Sequence, residues 1–156
     1  MKALRIVCVV ALVIGIAAFA WAQDMKRTAK ITSLEGSAEV KLAGDSNWFP
    51  AKVGTVLNEG DTIKTAANSK VLMNVGEKAE VGIVEVSEKS QLQVAEMKMD
   101  AKEDTSKTLL DLAMGEVLIK AQKVHGDKSR FEVKTPTSIV GVRGTTFKVK
   151  VEAVEE

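Results

Sequence analysis

The chain has one cysteine and one histidine in 156 residues. That is too few for a zinc site built from those two ligand types. The cysteine, Cys8, lies in an apolar N-terminal stretch, so the rest of the chain has none. A chain of this length buries about two thirds of its surface on folding and needs no disulfide to hold a core. There is no tyrosine, and four phenylalanines and two tryptophans leave little for surfaces that stack on bases. Neither sign of charge dominates: 22 basic residues face 21 acidic ones, for a net charge of +1. Such balance supplies no electrostatic drive toward nucleic acid or an anionic membrane. What is present is the composition of a single globular domain, 46% apolar and 28% charged.

The N-terminus reads as a targeting segment. Lys2 and Arg5 precede an unbroken apolar or glycine run from Ile6 to Phe19, and Ala20-Trp21-Ala22 then leads into polar Gln23-Asp24. Basic, apolar and small-residue regions in that order form a secretory signal. As a helix the run spans only about 21 Å, short of a hydrocarbon core of roughly 30 Å. The expectation is an apolar signal helix over residues 1–22, cleaved after Ala22, and one domain over 23–156 that is periplasmic or secreted. Cleavage removes Lys2, Arg5 and Cys8, leaving a slightly acidic, cysteine-free chain suited to an oxidising compartment. Cys8 is too far from the cleavage site to be the lipidated first residue of a lipoprotein.

Beyond the signal the dominant period is two. Apolar residues alternate in Gly36–Leu42, Glu80–Val86, Leu92–Val94, Lys128–Lys134 and Thr145–Val151. Alternation puts one face of a strand in a core and the other in water. Gly36, Gly82 and Gly115 are each followed by apolar residues two and four positions on, a recurring turn-then-strand unit too short to count as a sequence repeat. Ala113–Glu116 reads as a hairpin turn between strands Thr108–Leu112 and Glu116–Ala121, and His125–Lys128 as the next turn. The polar stretch Lys98–Lys107 reads as a surface loop. The pattern predicts an all-β fold, an antiparallel β-sandwich of jelly-roll type.

Catalytic constellations are hard to assemble. His125 has Gly126 and Asp127 beside it and is expected in an exposed turn, where a base is not oriented between nucleophile and carboxylate. Glu59 with Asp61, and Glu103 with Asp104, are paired carboxylates. Acid–base work needs one of a pair desolvated, whereas Asp61 follows Gly60 and is expected to bind turn N–H groups. Gly141-Val142-Arg143-Gly144 lacks the Lys-Ser/Thr ending and the following helix of a phosphate loop. The expectation is no catalytic site, no metal and no cofactor. Trp48-Phe49-Pro50 is the only aromatic cluster after the signal. It either caps the core or offers a stacking surface to a sugar.

Several motifs together resemble the FecR domain family, over about residues 31–151. They are Leu34-Glu35-Gly36 with Ala38 and Val40; Trp48 and then Gly54; and Leu57 through Gly60-Asp61-Thr62-Ile63-Lys64-Thr65. Val71–Val75, Leu112 with Gly115-Glu116-Val117, Phe131–Pro136 and Val142-Arg143-Gly144-Thr145-Thr146-Phe147 follow. The resemblance implies an all-β domain working outside the inner membrane. In the best-known members that domain belongs to a transmembrane regulator that relays the state of a TonB-dependent receptor to a sigma factor. A sigma-binding part is not expected ahead of the apolar stretch, and an edge open to strand addition by a partner or by another copy is expected after the last motif.

The motif residues Gly60, Asp61, Thr65, Pro136, Arg143, Gly144 and Thr145 are expected to be structural. Gly60 and Gly144 supply unusual backbone angles, Pro136 ends a strand, and Arg143 offers a planar fork that suits the Asp61 carboxylate or a turn carbonyl and would lock strand register. The implied function is a non-enzymatic envelope-sensing or signalling module whose partner is an envelope protein. The alternative is a carbohydrate- or peptidoglycan-binding module using Trp48 and Phe49.

Overall fold

The computed structural model describes residues 25–76, 81–100, 102, 105–122, 129–142 and 144–152. The expected signal segment (residues 1–22), His125, Glu103, Asp104 and Arg143 lie outside them. The described residues form thirteen strands: β1 (Met25–Lys26), β2 (Ala29–Glu35), β3 (Ala38–Lys41), β4 (Phe49–Pro50), β5 (Val56–Leu57), β6 (Thr62–Thr65), β7 (Lys70–Val75), β8 (Gly82–Val86), β9 (Gln91–Asp100), β10 (Thr105–Ala121), β11 (Arg130–Lys134), β12 (Ile139–Val142) and β13 (Thr146–Val151). No helix among them is long and apolar enough to cross a membrane. The fold is all-β, a largely antiparallel sheet curled into a half-barrel. Among the described residues the one parallel pair is β10 with β11, Lys107 opposite Arg130 through Asp111 opposite Lys134.

The curl arises at a single line. β2 and β3 pair with β7 and β6, β6 and β7 with β9 and β8, and β8 and β9 with the two halves of β10. Four neighbouring strands thus run from one half of the sheet into the other and bend at the same level. Each bend carries a residue of positive φ: Gly36 at 74°, Asn68 at 53°, Lys89 at 51° and Gly115 at 91°.

The hairpin expected at Ala113–Glu116 is therefore not a hairpin. β10 is continuous through it, because Gly115 takes a bulge conformation and the register with β9 shifts between Leu112 and Met114. The shift re-phases the core face. Ser106, Thr108, Leu110 and Leu112 point inward before the bend, Val117 and Ile119 after it. An unbroken alternation would have turned one half outward. The polar stretch Lys98–Lys107 also differs from expectation. Asp100 pairs with Thr105, Met99 with Ser106 and Lys98 with Lys107, since a two-stranded arm can keep polar side chains in water and still satisfy its backbone.

Ile31, Leu57, Ile63, Met73, Leu92, Leu110, Ile119 and Phe131 are fully buried between the two halves. Each such side chain contributes about 1.5–3 kcal/mol of transfer free energy. Residues 49–57 close one side of this core. Ala51 N–H donates to the Ala38 carbonyl at 2.9 Å in one half, and Gly54 N–H to the Ile31 carbonyl at 2.8 Å in the other.

Candidate functional site

The bend line repeats one piece of local chemistry. Two turns carry a buried serine just after the positive-φ residue. Ser69 Oγ donates to the Ala67 carbonyl and accepts Ser37 N–H at 3.0 Å. Ser90 Oγ donates to the Glu88 carbonyl and accepts Glu116 N–H at 2.9 Å. Each serine faces a glycine, Ser69 facing Gly36 and Ser90 facing Gly115. A Cβ on Gly115 would stand 2.5 Å from Ser90 Cα, and one on Gly36 2.8 Å from the Asn68 carbonyl oxygen. The recurrence of Gly36 and Gly115 in the sequence thus has a structural cause. Gly82 does not share it. It begins β8, where a Cβ would meet the Lys120 carbonyl at 2.8 Å, so it serves close packing of β8 on β10.

Two motif threonines lie on the same line. Thr65 is buried at the end of β6; its Oγ1 donates to the Ser87 carbonyl at 2.6 Å and accepts Ser90 N–H at 3.0 Å. Thr135 Oγ1 accepts Ser138 N–H at 3.0 Å and closes the turn from β11 to β12, which contains Pro136. At the other end of β6, Gly60 has φ 94° and Asp61 is buried. The Asp61 carboxylate accepts Ala43 N–H on Oδ1 and Asn58 N–H on Oδ2, both at 2.8 Å. Glu59 accepts Met97 N–H at 3.1 Å. Both members of that acidic pair are thus spent on backbone donors. Gly144 has φ 65°, and the Thr145 carbonyl accepts Ala121 N–H at 3.0 Å. Among the described residues, no group of three acidic, histidine or cysteine side chains is placed to hold a metal.

Trp48 is half-buried and stands on the outer face of the sheet. The Lys41 and Lys64 ammonium groups lie over its ring, 5.3 and 5.9 Å from the centroid. It is absent from the buried core, and its ring already carries two cations where a sugar would stack. Phe49 is 45% exposed on β4. Its partner across the pair is Val40, so it faces the opposite way from Trp48.

The bend line bounds a groove of about 800 Å³. Its lining includes Lys64, Thr65, Glu88, Lys89, Met114 and Lys150. Smaller depressions of about 450 Å³ adjoin it at both ends. One shares Lys64, Thr65 and Ala66 and reaches Pro50; the other shares Met114, Lys150 and Val151 and reaches Pro136. Sequence reading missed this groove because its walls come from turns far apart in the chain, and each turn alone looks like any other.

Residues 61–155 match the family model described as FecR protein. The chain belongs to the FecR family. The match covers more than half of the sequence and begins at Asp61, the buried carboxylate. Proteins of this family are envelope-associated and regulatory in character. The FecR fold here extends further toward the N-terminus than the match, since Ala29, Ile31, Ala38, Val40, Ala51 and Leu57 are all part of the one buried core. No curated protein and no solved structure matches the chain.

Proposed function

We propose that this FecR domain is a non-enzymatic module, exported to the periplasm or secreted, that recognises an envelope protein by β-strand addition at β13. The signal-like N-terminus and the family support export and a sensing role. The observation that carries the mode of recognition is the incomplete cover of β13. Its inward residues Phe147, Val149 and Val151 pack on the core but remain half-exposed, whereas Val84 and Val86 on β8 are fully buried. Among the described residues β13 pairs with β10 alone. One more strand would cover that apolar row.

The edge is also open in its backbone. Ala121 N–H donates to the Thr145 carbonyl, and alternation from that pair turns the N–H and C=O of Thr146, Lys148 and Lys150 away from β10. Glu116 fits this phase, because its own N–H and C=O engage Ser90 and Ser87 on the β8–β9 side. The outer face of β13 carries Lys148 and Lys150, side chains that discourage self-pairing and favour an acidic incoming strand.

The test is a photo-reactive residue at position 150 in the native envelope. One cross-linked envelope protein is expected. The adduct should persist in Lys148→Ala and vanish in Lys148→Pro, which removes an outward N–H and no internal ladder bond. No adduct, or one indifferent to Lys148→Pro, overturns the reading.

A further inference from the structure

Beyond β10 the two halves of the sheet differ by one strand. In one half β11 and then β12 follow β10; in the other, among the described residues, β13 follows alone. A strand added to β13 therefore stands level with β12. It cannot run on past the bend, because β12 and the turn at 135–138 hold that place. Lys134, just before the turn, pairs with Asp111, and Ile139, just after it, pairs with Lys134. From the other half β13 arrives at the same level, with Val151 opposite Gly115. We propose that the envelope partner's strand ends there in a large apolar side chain, which seats in the depression between the end of β13 and the turn at 135–138. This rests on strand addition at β13 and names the partner residue that the edge selects.

The depression has about 450 Å³, room for one large side chain. Its lining includes Met114, Pro136, Val149 and Val151. Met114 is 40% exposed, and both valines are partly exposed, so an apolar cover is favourable. The polar groups around them bond to one another. Thr135 Oγ1 accepts Ser138 N–H at 3.0 Å and lies 3.0 Å from Ser138 Oγ. Among the described residues the only charges in the lining are Lys150 and Glu152, which pair at 2.8 Å and offset each other. A charged guest would lose water there without gaining a partner. An apolar guest gains from the same burial.

The closed side of the half-barrel is a precedent within the chain. The segment that crosses there pairs with β3 and β2 and sends Ala51 and Leu57 inward, 6% and 0% exposed. A strand on β13 finishes the second side in the same manner when it brings an apolar residue to the bend. Met114 suits that contact, because a flexible, polarisable thioether adapts to aliphatic and aromatic groups alike.

The probe is a phage-displayed library of short peptides, selected on the purified protein. Enriched peptides should share one Leu, Met, Phe or Trp at one end of an extended stretch. They should bind Lys148→Pro at least about tenfold more weakly than the parent, which ties them to the β13 edge. Met114→Glu should weaken them by a similar factor, which ties them to the depression, and Met114→Leu should bind as the parent does. A photo-reactive residue in place of the shared one should label Met114, Pro136 or Val151 of the parent chain, a readout that needs no variant to fold. Peptides lost in Lys148→Pro that share no apolar residue, bind Met114→Glu fully or label elsewhere leave strand addition standing and overturn the anchor. No enrichment, or peptides indifferent to Lys148→Pro, also overturns the anchor, and the cross-link at position 150 then decides strand addition by itself. A dimer of the free protein that Lys148→Pro dissolves would seat a second copy on this edge and overturn the partner as its occupant.

Discussion

The half-barrel has two long sides, and they are finished differently. On one, residues 49–57 run across from β3 to β2, bond to both halves of the sheet, and plug the core with Ala51 and Leu57, which are 6% and 0% exposed. The strands there, β4 and β5, have two residues each, and β4 ends in Pro50. On the other side β12 and β13 are longer, and among the described residues their far edges have no partner. Ile139 of β12 is 63% exposed. Short strands and proline blunt an edge, so the first side is closed against association. The second lacks those devices and keeps only lysines. Among the described residues the chain thus protects one edge and leaves the β12–β13 edge without a partner strand, which is the edge that the proposed strand addition uses.

The closed side depends on Asp61. Its carboxylate ties Ala43 N–H, after β3, to Asn58 N–H, after β5, and so fixes both ends of the crossing segment. Hydrogen bonds to a charged group each contribute about 1.5–3 kcal/mol. Both donors belong to exposed residues, which lets water replace part of the loss. Asp61→Ala should therefore lower stability by about 2–3 kcal/mol and speed amide exchange at Ala43 and Asn58 first. Equal protection at those two amides in variant and parent would show that the segment is held by its packing alone.

Part of this arrangement was legible in the sequence. Asp61 after Gly60 announced a turn whose carboxylate binds backbone, because a short acidic side chain next to a permissive glycine has few other uses. The strands were legible from their alternation, Phe131 and Val133 on β11 being as buried as their spacing implies. The bend line was not. Met114-Gly115 looks like a hairpin turn, since a bulge and a turn both call for glycine at positive φ; only the pairing of β8 and β9 along the same β10 decides between them. The groove was hidden for the same reason. Thr65, Lys89 and Met114 come together through long-range pairing, and local pattern carries no record of it. Lys98–Lys107 misled because polarity marks solvent exposure, not absence of a strand.

The open side can be examined through Phe147. It is only partly buried, whereas Phe131 is 1% exposed. Removing a fully buried phenylalanine costs about 3–5 kcal/mol. Phe147→Ala should cost about 1 kcal/mol, in proportion to the area it hides. The contrast should shrink once β13 gains a neighbour: in the presence of a cross-linked or bound partner, the same substitution should cost about twice as much. A loss as large as that of Phe131→Ala in the free chain would mean β13 is already covered, and the two sides would no longer differ.

The smallest effect belongs to the β9–β10 arm, between the two sides. Glu96 accepts from Lys107 at 2.7 Å and from Lys98 at 3.1 Å. The hydrogen bond from Lys107 is the main cause of a carboxyl pKa held below its ordinary value, with partial burial opposing it and Lys98 adding to it. A carboxylate whose folded pKa is depressed contributes stability above its unfolded pKa and loses it as pH falls through the folded one. Glu96→Gln should thus reduce stability at pH 7 by less than about 1 kcal/mol, as exposed lysine pairs do. The gap should close as the pH drops below about 4, and added salt should narrow it at pH 7. Urea melts of parent and variant at pH 7 and pH 3 measure it. A gap that stays the same at pH 3 would assign the loss to packing of the arm rather than to charge.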